Sequence, residues 1–222
     1  MSISTSVIDN IGRITLDDGK ANALSIEWFD MFAKALDEIV SVEAKMVLIS
    51  GRPKFFSGGL DLKALGQLDA AGIKLLTLKF ATTVLKLYGL PVPTVGLVTG
   101  HAIAGGFMLA SACDFRFGLN GPFKYQLNEV AIGIAVPHWF QAVCESALSK
   151  PAFESMALSA RAISPQEMLN TGFLSALDEN IPDMNARGDA FAAHLAQLDT
   201  NAFAASKAML RAERISSALQ SL

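Results

Sequence analysis

Cysteine and charge are both scarce in this sequence. Its 222 residues include only two cysteines, Cys113 and Cys144, and 18% of the residues are charged. Both cysteines lie in apolar helical contexts without metal-ligand spacing, which is typical of buried free thiols in a reducing compartment. No long run of Lys and Arg occurs. Because nucleic-acid phosphates require clustered cations, we expect no nucleic-acid partner.

Targeting and metal-binding patterns are also missing. Residues 1–9 contain no basic stretch followed by an apolar core, so we expect a cytoplasmic protein without a signal or transit peptide. Residues 87–113 form an uncharged run long enough for a membrane span, but its prolines and glycines break it, so no membrane partner is expected. The histidines show no metal-ligand spacing, and no metal site is expected. We expect His101 to pack in a turn, whereas His138 could line a cavity.

What the chain has is apolar residues, 51% of the total, in alternating helical and strand patterns. Such a composition suits an α/β sheet covered on both faces, or a subunit that buries further surface in an oligomer. Ser25 is a predicted helix N-cap, and Ser164 with Glu167 forms a predicted capping box. The predicted elements are a hairpin over 5–16, strands at 45–50, 94–98, 114–118 and 122–126, and helices at 26–41, 61–65, 70–88, 184–198 and 202–219.

Two glycine-rich turns each follow a strand and lead into a helical segment. The first includes Ser57, Gly58, Gly59, Leu60 and Asp61, and the second covers residues 100–106. Free backbone N–H groups at such a helix start, with the positive end of the helix dipole behind them, can hold a developing negative charge. The glycines could equally serve close helix packing alone. Two such turns in one chain favour the interpretation that their amides converge.

One carboxylate, Glu129, stands among apolar residues between Asp114 and Glu145. It is either a solvent-facing loop residue or a desolvated acid with a raised pKa. Two amide-rich turns and one carboxylate suit a reaction that needs an oxyanion stabilised and one proton moved. Preorganised N–H donors contribute about 3 kcal/mol each to such an oxyanion, and a carboxylate with a raised pKa can remove and return protons.

These residues resemble the crotonase superfamily, also called enoyl-CoA hydratase/isomerase. The likeness extends over nearly the whole chain and is carried by residues 20–24, 56–62, 100–114, 163–172 and 206–208. The resemblance implies an α/β fold: a spiral of ββα units over residues 1–175, followed within the same domain by a helical region over 176–222. That region would pack the chain into a homotrimer or a dimer of trimers.

The resemblance also implies where an acyl-CoA substrate binds. Its thioester carbonyl would lie between the backbone N–H groups of Leu60 and Gly105, and coenzyme A is part of the substrate, so no other cofactor is implied. Further substrate contacts are implied for Ala21, Ala23, Ser57, Gly58, Gly59, Asp61 and Met108. Relatives close the acyl pocket with a terminal helix. Because this sequence is short for the family, we expect that helix to be missing or supplied by a neighbour.

The family hosts several reactions, and two positions discriminate between them. Its hydratases use two glutamates to activate water; the first would fall at Met108 and the second at Glu129. A single glutamate, within residues 127–139, resembles the mitochondrial-type 3,2-trans-enoyl-CoA isomerases. The resemblance therefore favours an isomerase that moves a 3-enoyl double bond to trans-2-enoyl, with Glu129 as proton shuttle. A hydratase, other enolate chemistry and a non-catalytic acyl-CoA binder remain alternatives.

Overall fold

A six-stranded sheet organises the chain, which the computed structural model describes over residues 3–222. The strands are β1 (Ile3–Ile8), β2 (Ile11–Leu16), β3 (Ala23–Leu24), β4 (Met46–Ser50), β5 (Lys54–Ser57), β6 (Gly59–Leu60), β7 (Thr94–Val98), β8 (Gly100–Ile103), β9 (Phe115–Leu119), β10 (Tyr125–Gln126) and β11 (Ala176–Asp178). The main sheet has the order β1-β2-β4-β7-β9-β11, and all its pairs except β1–β2 are parallel.

Helices cover this sheet and complete the repeating units. They are α1 (Ile26–Ser41), α2 (Leu62–Leu65), α3 (Ala70–Tyr88), α4 (Gly105–Ala112), α5 (His138–Cys144), α6 (Lys150–Ser159), α7 (Pro165–Asn170), α8 (Ile181–Leu195) and α9 (Thr200–Gln220). After β4, β7 and β9, the chain enters the second, three-stranded parallel sheet, β10-β8-β5, before it continues to a helix. This is the predicted spiral of ββα units, and the α/β prediction is confirmed.

Local sequence signals account for most of the predicted elements. Asp9 and Asn10, which link β1 to β2, both have positive φ angles (52° and 61°), as a tight hairpin turn of type I′ requires. The Ser25 hydroxyl accepts the Trp28 N–H at 3.2 Å and caps α1 as predicted. The capping box of Ser164 and Glu167 is also present. These signals lie in neighbouring residues, and sequence patterns read them directly.

Elements that depend on distant partners were less predictable. Residues 100–103 were predicted as a turn, but they form β8, because they pair with β5 on one side and β10 on the other. The predicted strand at 122–126 is reduced to Tyr125–Gln126. The predicted division at residue 175 falls just before β11, which extends the main sheet beside β9. The chain after β11 is helical from Ile181.

A buried ion-pair cluster fixes the last helix to the sheet. The Asp114 carboxylate accepts hydrogen bonds from the backbone and side chain of Thr94 (2.7 and 2.9 Å) and from the Lys207 ammonium (2.8 Å). Arg211 lies 2.8 Å from its second oxygen. Asp114 and Lys207 are almost completely buried. Burial lowers the pKa of Lys207, while Asp114 opposes that shift.

The final helix of this chain, α9, packs against α5 of the same chain. The His138 imidazole Nε2 lies 3.1 Å from the Ser217 hydroxyl and joins the two helices. The uncharged run at 87–113 is divided between the end of α3, β7, β8 and α4. Across residues 3–222, no helix combines the length and apolar character needed to cross a membrane.

Candidate active site

The two glycine turns meet in the folded chain. Gly59 has a φ of +89°, and a methyl group on it would lie 2.8 Å from the Ile103 carbonyl oxygen and 3.3 Å from the Gly105 nitrogen. A methyl group on Gly106 would lie 2.2 Å from the Ser57 carbonyl oxygen. The close-packing role of the glycines is therefore present, and the role of their amides in holding negative charge stays a prediction. The glycines allow close packing, and that packing brings the two turns together.

The start of α4 leaves the Gly105 amide without a helical acceptor. Met108 N donates to the Ala104 carbonyl at 3.0 Å, which is the first hydrogen bond of this helix. The Gly105 N–H precedes it and belongs to the set of orphan donors at a helix start. Ala104 itself has an unusual backbone conformation, φ 47° and ψ −117°, which turns the chain sharply from β8 into α4. The Gly105 amide therefore projects from the helix end.

The Leu60 amide projects from the other turn. Asp61 N donates to the Leu24 carbonyl of β3 at 2.9 Å. Successive N–H groups along a strand point to opposite sides, so the Leu60 N–H points away from β3. The short strand β6, which contains Leu60, packs on α4. Leu60 and Gly105 both line the same cavity.

That cavity has a volume of about 360 Å³ and a mostly apolar wall. Helix α3 contributes Phe80, whose ring packs edge-on against Trp139 of α5, with ring centroids 5.0 Å apart. Leu62 and Ile132 lie at the rim and are largely exposed. An apolar cavity with few polar groups is typical of a small-molecule site. Its wall suits a hydrocarbon chain.

Glu129 lies in the wall of this cavity and is 6% exposed. It precedes a short 3₁₀ turn, Val130–Ile132, and its backbone carbonyl accepts hydrogen bonds from the amides of Ile132 (3.1 Å) and Ile134 (2.9 Å). Within residues 3–222, its carboxylate Oε2 is buried without a hydrogen-bond partner. Burial raises the pKa of Glu129. Of the two interpretations of this residue, the desolvated acid is confirmed.

Met108 occupies the wall formed by α4 and is 3% exposed. Its side chain offers a thioether sulfur, which is only a weak hydrogen-bond acceptor. Among the cavity-lining residues of the described chain, Glu129 is the single acid. The cavity therefore combines one desolvated carboxylate with a mostly apolar wall that includes Leu60 and Gly105.

The other predicted contact residues fall into two groups. Gly58 lines the cavity, and its amide donates to the Ala21 carbonyl at 2.7 Å. Ala21, Ala23, Ser57, Gly59 and Asp61 are not in the cavity wall. Their contact with a substrate remains a prediction.

Several of these residues shape the turn that carries Leu60. The Ser57 hydroxyl donates to the Asn22 carbonyl (2.7 Å) and accepts the Gly59 amide (3.1 Å). The Asp61 carboxylate caps α2 by accepting the amides of Lys63 (2.9 Å) and Ala64 (3.1 Å). Ala23 pairs with Gly59 between β3 and β6. These bonds fix the direction of the Leu60 amide.

The histidine and cysteine predictions have different outcomes. His101 is a packed residue as predicted, but it lies in β8 and not in a turn: its ring lies against Phe55, and its Nδ1 accepts the Lys124 amide at 3.0 Å. His138 does not line this cavity; its imidazole faces Ser217 on α9. Cys113 and Cys144 are buried free thiols, as predicted.

Sequence patterns missed part of the cavity wall. The prediction of a helix at 70–88 did not place Phe80 in the cavity wall, and Asn128 and Trp139 were included only within the motif at residues 127–139. Over residues 3–222, Asn128 Oδ1 and Trp139 Nε1 are buried without hydrogen-bond partners. The sequence contained one signal for this part of the cavity wall: two polar neighbours, Asn128 and Glu129, stand within an apolar stretch.

The spiral of ββα units and the cavity between two glycine turns define a crotonase-type α/β protein. The chain belongs to the enoyl-CoA hydratase/isomerase family, whose sequence model matches residues 7–221. It is 28% identical to mouse mitochondrial methylglutaconyl-CoA hydratase over 187 residues (82% of this chain), and 28% identical to human mitochondrial enoyl-CoA delta isomerase 1 over 196 residues (86% of this chain). The predicted membership of the crotonase superfamily is confirmed.

Comparison with solved structures supports the same family. A crystal structure of an enoyl-CoA hydratase/isomerase family protein from Pseudomonas syringae superposes with a TM-score of 0.93 at 29% identity, covering 99% of this chain and 94% of the other. The matched regions cover 58% of the mouse hydratase and 64% of the human isomerase, so the chain spans less than two thirds of these relatives.

Proposed function

We propose that this chain binds an acyl-CoA thioester, stabilises its enolate, and moves a double bond from the 3-position to the trans-2-position. The observation that carries the proposal is the pairing of one desolvated carboxylate, Glu129, with an apolar residue, Met108, in the same cavity. Moving a double bond needs one proton removed and one returned. One carboxylate can do both.

The proposed reaction begins at the two backbone amides. The thioester oxygen accepts hydrogen bonds from the N–H groups of Leu60 and Gly105, which stabilise negative charge as it develops. Ionised Glu129 removes a proton from C2; the C–H electron pair enters the conjugated dienolate, whose charge rests on that oxygen. Protonated Glu129 then returns the proton to C4, and the electrons close the C2=C3 double bond. No net oxidation or added reactant is needed.

The environment of Glu129 supports this role. Its raised pKa makes it a stronger base than a solvated carboxylate and lets it hold the proton between the two steps. The mostly apolar wall of the cavity offers competing water few hydrogen-bond partners, and the human isomerase relative is consistent with the reaction. The hydratase relative favours hydration as a second candidate. Hydration would need a bound, oriented water, to which Met108 offers only a weak acceptor.

The test compares two substrates and two glutamates. We expect wild type to isomerise 3-hexenoyl-CoA faster than it hydrates crotonyl-CoA. Glu129→Gln should lower isomerisation by about 10²–10⁴-fold, the usual contribution of a positioned acid or base, while acyl-CoA still binds. Glu154→Gln is the matched control, because Glu154 lies on α6 outside the cavity wall.

Three results contradict the isomerase proposal. Isomerisation that survives in Glu129→Gln removes the proposed role of this carboxylate. If the wild type hydrates crotonyl-CoA faster than it isomerises 3-hexenoyl-CoA, the chain is a hydratase and not an isomerase. Tight acyl-CoA binding without turnover of either substrate selects a non-catalytic binding protein.

We further propose that the chain needs no cofactor besides the coenzyme A of its substrate, and that it assembles as a homotrimer or a dimer of trimers in the cytoplasm. Several large apolar side chains on its surface, including Leu210 and Met209 of α9, are available for such contacts. Light scattering after size-exclusion chromatography measures the assembly directly; a monomer contradicts it.

A further inference from the structure

Ala104 has a backbone conformation that residues with a side chain rarely adopt. Its φ of 47° and ψ of −117° lie outside the helical, extended and left-handed regions. They are close to the first central position of a type II′ turn, about +60° and −120°, where glycine is usual. Strained residues of this kind persist only where their surroundings hold them, and they cluster at active sites. Ala104 lines the apolar cavity.

Contacts on three sides hold Ala104 in this conformation. Its N–H donates to the Gln126 carbonyl of β10 at 2.7 Å, and its own carbonyl accepts the Met108 amide at 3.0 Å. A methyl group on Gly59 would lie 3.2 Å from the Ala104 Cβ and 3.3 Å from the Gly105 nitrogen. The peptide that joins Ala104 to Gly105 therefore lies against the first glycine turn.

The start of α4 also differs from the starts of other helices in this chain. Helices α1, α3 and α9 begin after Ser25, Asp69 and Asp199, each with an extended backbone and a side chain that accepts a first-turn amide. Ala104 has neither feature. Because peptide units are planar, the φ and ψ angles of Ala104 set the direction of the Gly105 N–H relative to β8.

We propose that Ala104 is a positioning residue, whose strained backbone holds the Gly105 N–H toward the thioester oxygen of the substrate. The inference rests on the proposed acyl-CoA function and adds a residue to it. Ala104 acts through Gly105 and takes no part in proton transfer. A glycine at this position would relieve the strain and let the following peptide rotate. Stability and activity should then change in opposite directions.

The test is Ala104→Gly. An alanine at positive φ is destabilising where glycine is not, so the variant should have a higher melting temperature than the wild type. Its kcat for 3-hexenoyl-CoA should fall at least about tenfold, toward the 10²-fold loss that a shift of about 1 Å can cause. KM should change little, because the contact with the oxyanion strengthens mainly as charge develops.

Ala160→Gly is the matched control. Ala160 also has a positive φ, 50°, but it follows α6 and lies outside the cavity wall. This variant should likewise have a higher melting temperature, while kcat and KM stay at the wild-type values. An equal loss of activity in both variants would indicate a general effect of flexibility and would contradict the inference.

Infrared spectroscopy of a bound ligand examines the hydrogen bond itself. Hexanoyl-CoA is saturated and cannot be isomerised, and an isotopic label on its thioester carbonyl isolates that stretching band. Binding to the wild type should move the band to lower frequency, because the two amides polarise the carbonyl. Ala104→Gly should reduce this shift, and Ala160→Gly should keep it.

The outcomes separate this inference from the proposed function. If the wild type shifts the carbonyl band and Ala104→Gly retains both the shift and the rate, the positioning role is wrong and the acyl-CoA function stands. If Ala104→Gly loses stability together with activity, its methyl group only supports packing, and the inference is also wrong. If the wild type binds no acyl-CoA, or binds it without a shift, the proposed function fails and the inference fails with it.

Discussion

The α-carbon of Gly106 lies directly against the backbone of Ser57: a methyl group on Gly106 would be 2.2 Å from the Ser57 carbonyl oxygen and 2.8 Å from its carbonyl carbon. Real atoms do not approach so closely, and a backbone carbonyl cannot rotate away as a flexible side chain can. This contact therefore sets the distance between the two turns that carry Leu60 and Gly105.

Gly106→Ala should disrupt this arrangement. The added methyl group must displace α4 from Ser57, and a shift of about 1 Å at a catalytic group can cost about 10²-fold in rate. We expect kcat/KM for the preferred acyl-CoA to fall by about that factor, together with a lower melting temperature. Gly66→Ala is the control, because Gly66 has a helical φ of −66° and its nearest neighbour would be 3.5 Å from the methyl group. Equal activity losses in the two variants would contradict the prediction.

The activity should depend on pH through Glu129. Its ionised form is the base, and burial raises its pKa above the ordinary value of 4.5. We expect kcat/KM to fall on the acid side with an apparent pKa higher than 4.5. An acid limb at or below the ordinary value, in a pH-rate profile, would rule out the desolvated base.

The same pKa shift affects stability. A carboxyl group whose pKa is raised in the folded state binds more protons in that state than in the unfolded state. Its contribution to the free energy of unfolding is therefore complete at a pH below its pKa in the unfolded state, and it is lost as the pH rises through its pKa in the folded state. Wild type should therefore lose stability relative to Glu129→Gln as the pH rises from about 4 to neutrality. Thermal unfolding of both proteins across this range measures the difference; a constant difference contradicts the prediction.

Met108→Glu tests why one carboxylate favours isomerisation. It places a second acid in the cavity, at the position where the resemblance puts the first hydratase glutamate. We expect hydration of crotonyl-CoA to rise above the wild-type rate and isomerisation to fall, because two carboxylates in one apolar cavity raise each other's pKa. Met108→Leu preserves the volume and should show no gain in hydration. Both rates are followed by absorbance of the conjugated thioester, and unchanged hydration in Met108→Glu contradicts the prediction.

Asp114→Ala should destabilise the whole chain. It leaves the Lys207 ammonium buried without its carboxylate, and breaking a buried pair in this way costs about 3–5 kcal/mol. Glu38→Ala removes the carboxylate of an exposed pair with Lys34, 3.5 Å away, and should cost less than about 0.5 kcal/mol. Urea unfolding gives both values. A loss of less than about 1 kcal/mol for Asp114→Ala, within the range of an exposed pair, would show that the cluster does not hold α9.

Part of the site was accessible from the sequence because its signals are local or compositional. Glycines mark both turns, and Glu129 is distinctive because no other acid lies between Asp114 and Glu145. The cavity-lining positions of Leu60, Gly105, Met108 and Glu129 were all anticipated. The wall contributed by Phe80 was not, because a buried aromatic residue has the same helical spacing whether it faces a core or a cavity.

The sequence by itself determined strands β1, β2, β4, β7 and β9, helices α1 and α3, the caps at Ser25 and Ser164, and the family, because periodicity and short motifs are properties of neighbouring residues. Only the tertiary structure decided that Gly59 lies beside Gly105, that Glu129 is desolvated, and that His138 faces Ser217 instead of the cavity. Each of these outcomes depends on contacts between residues far apart in the chain. Burial, and with it the pKa of Glu129, is a property of the packed neighbours and not of the residue alone.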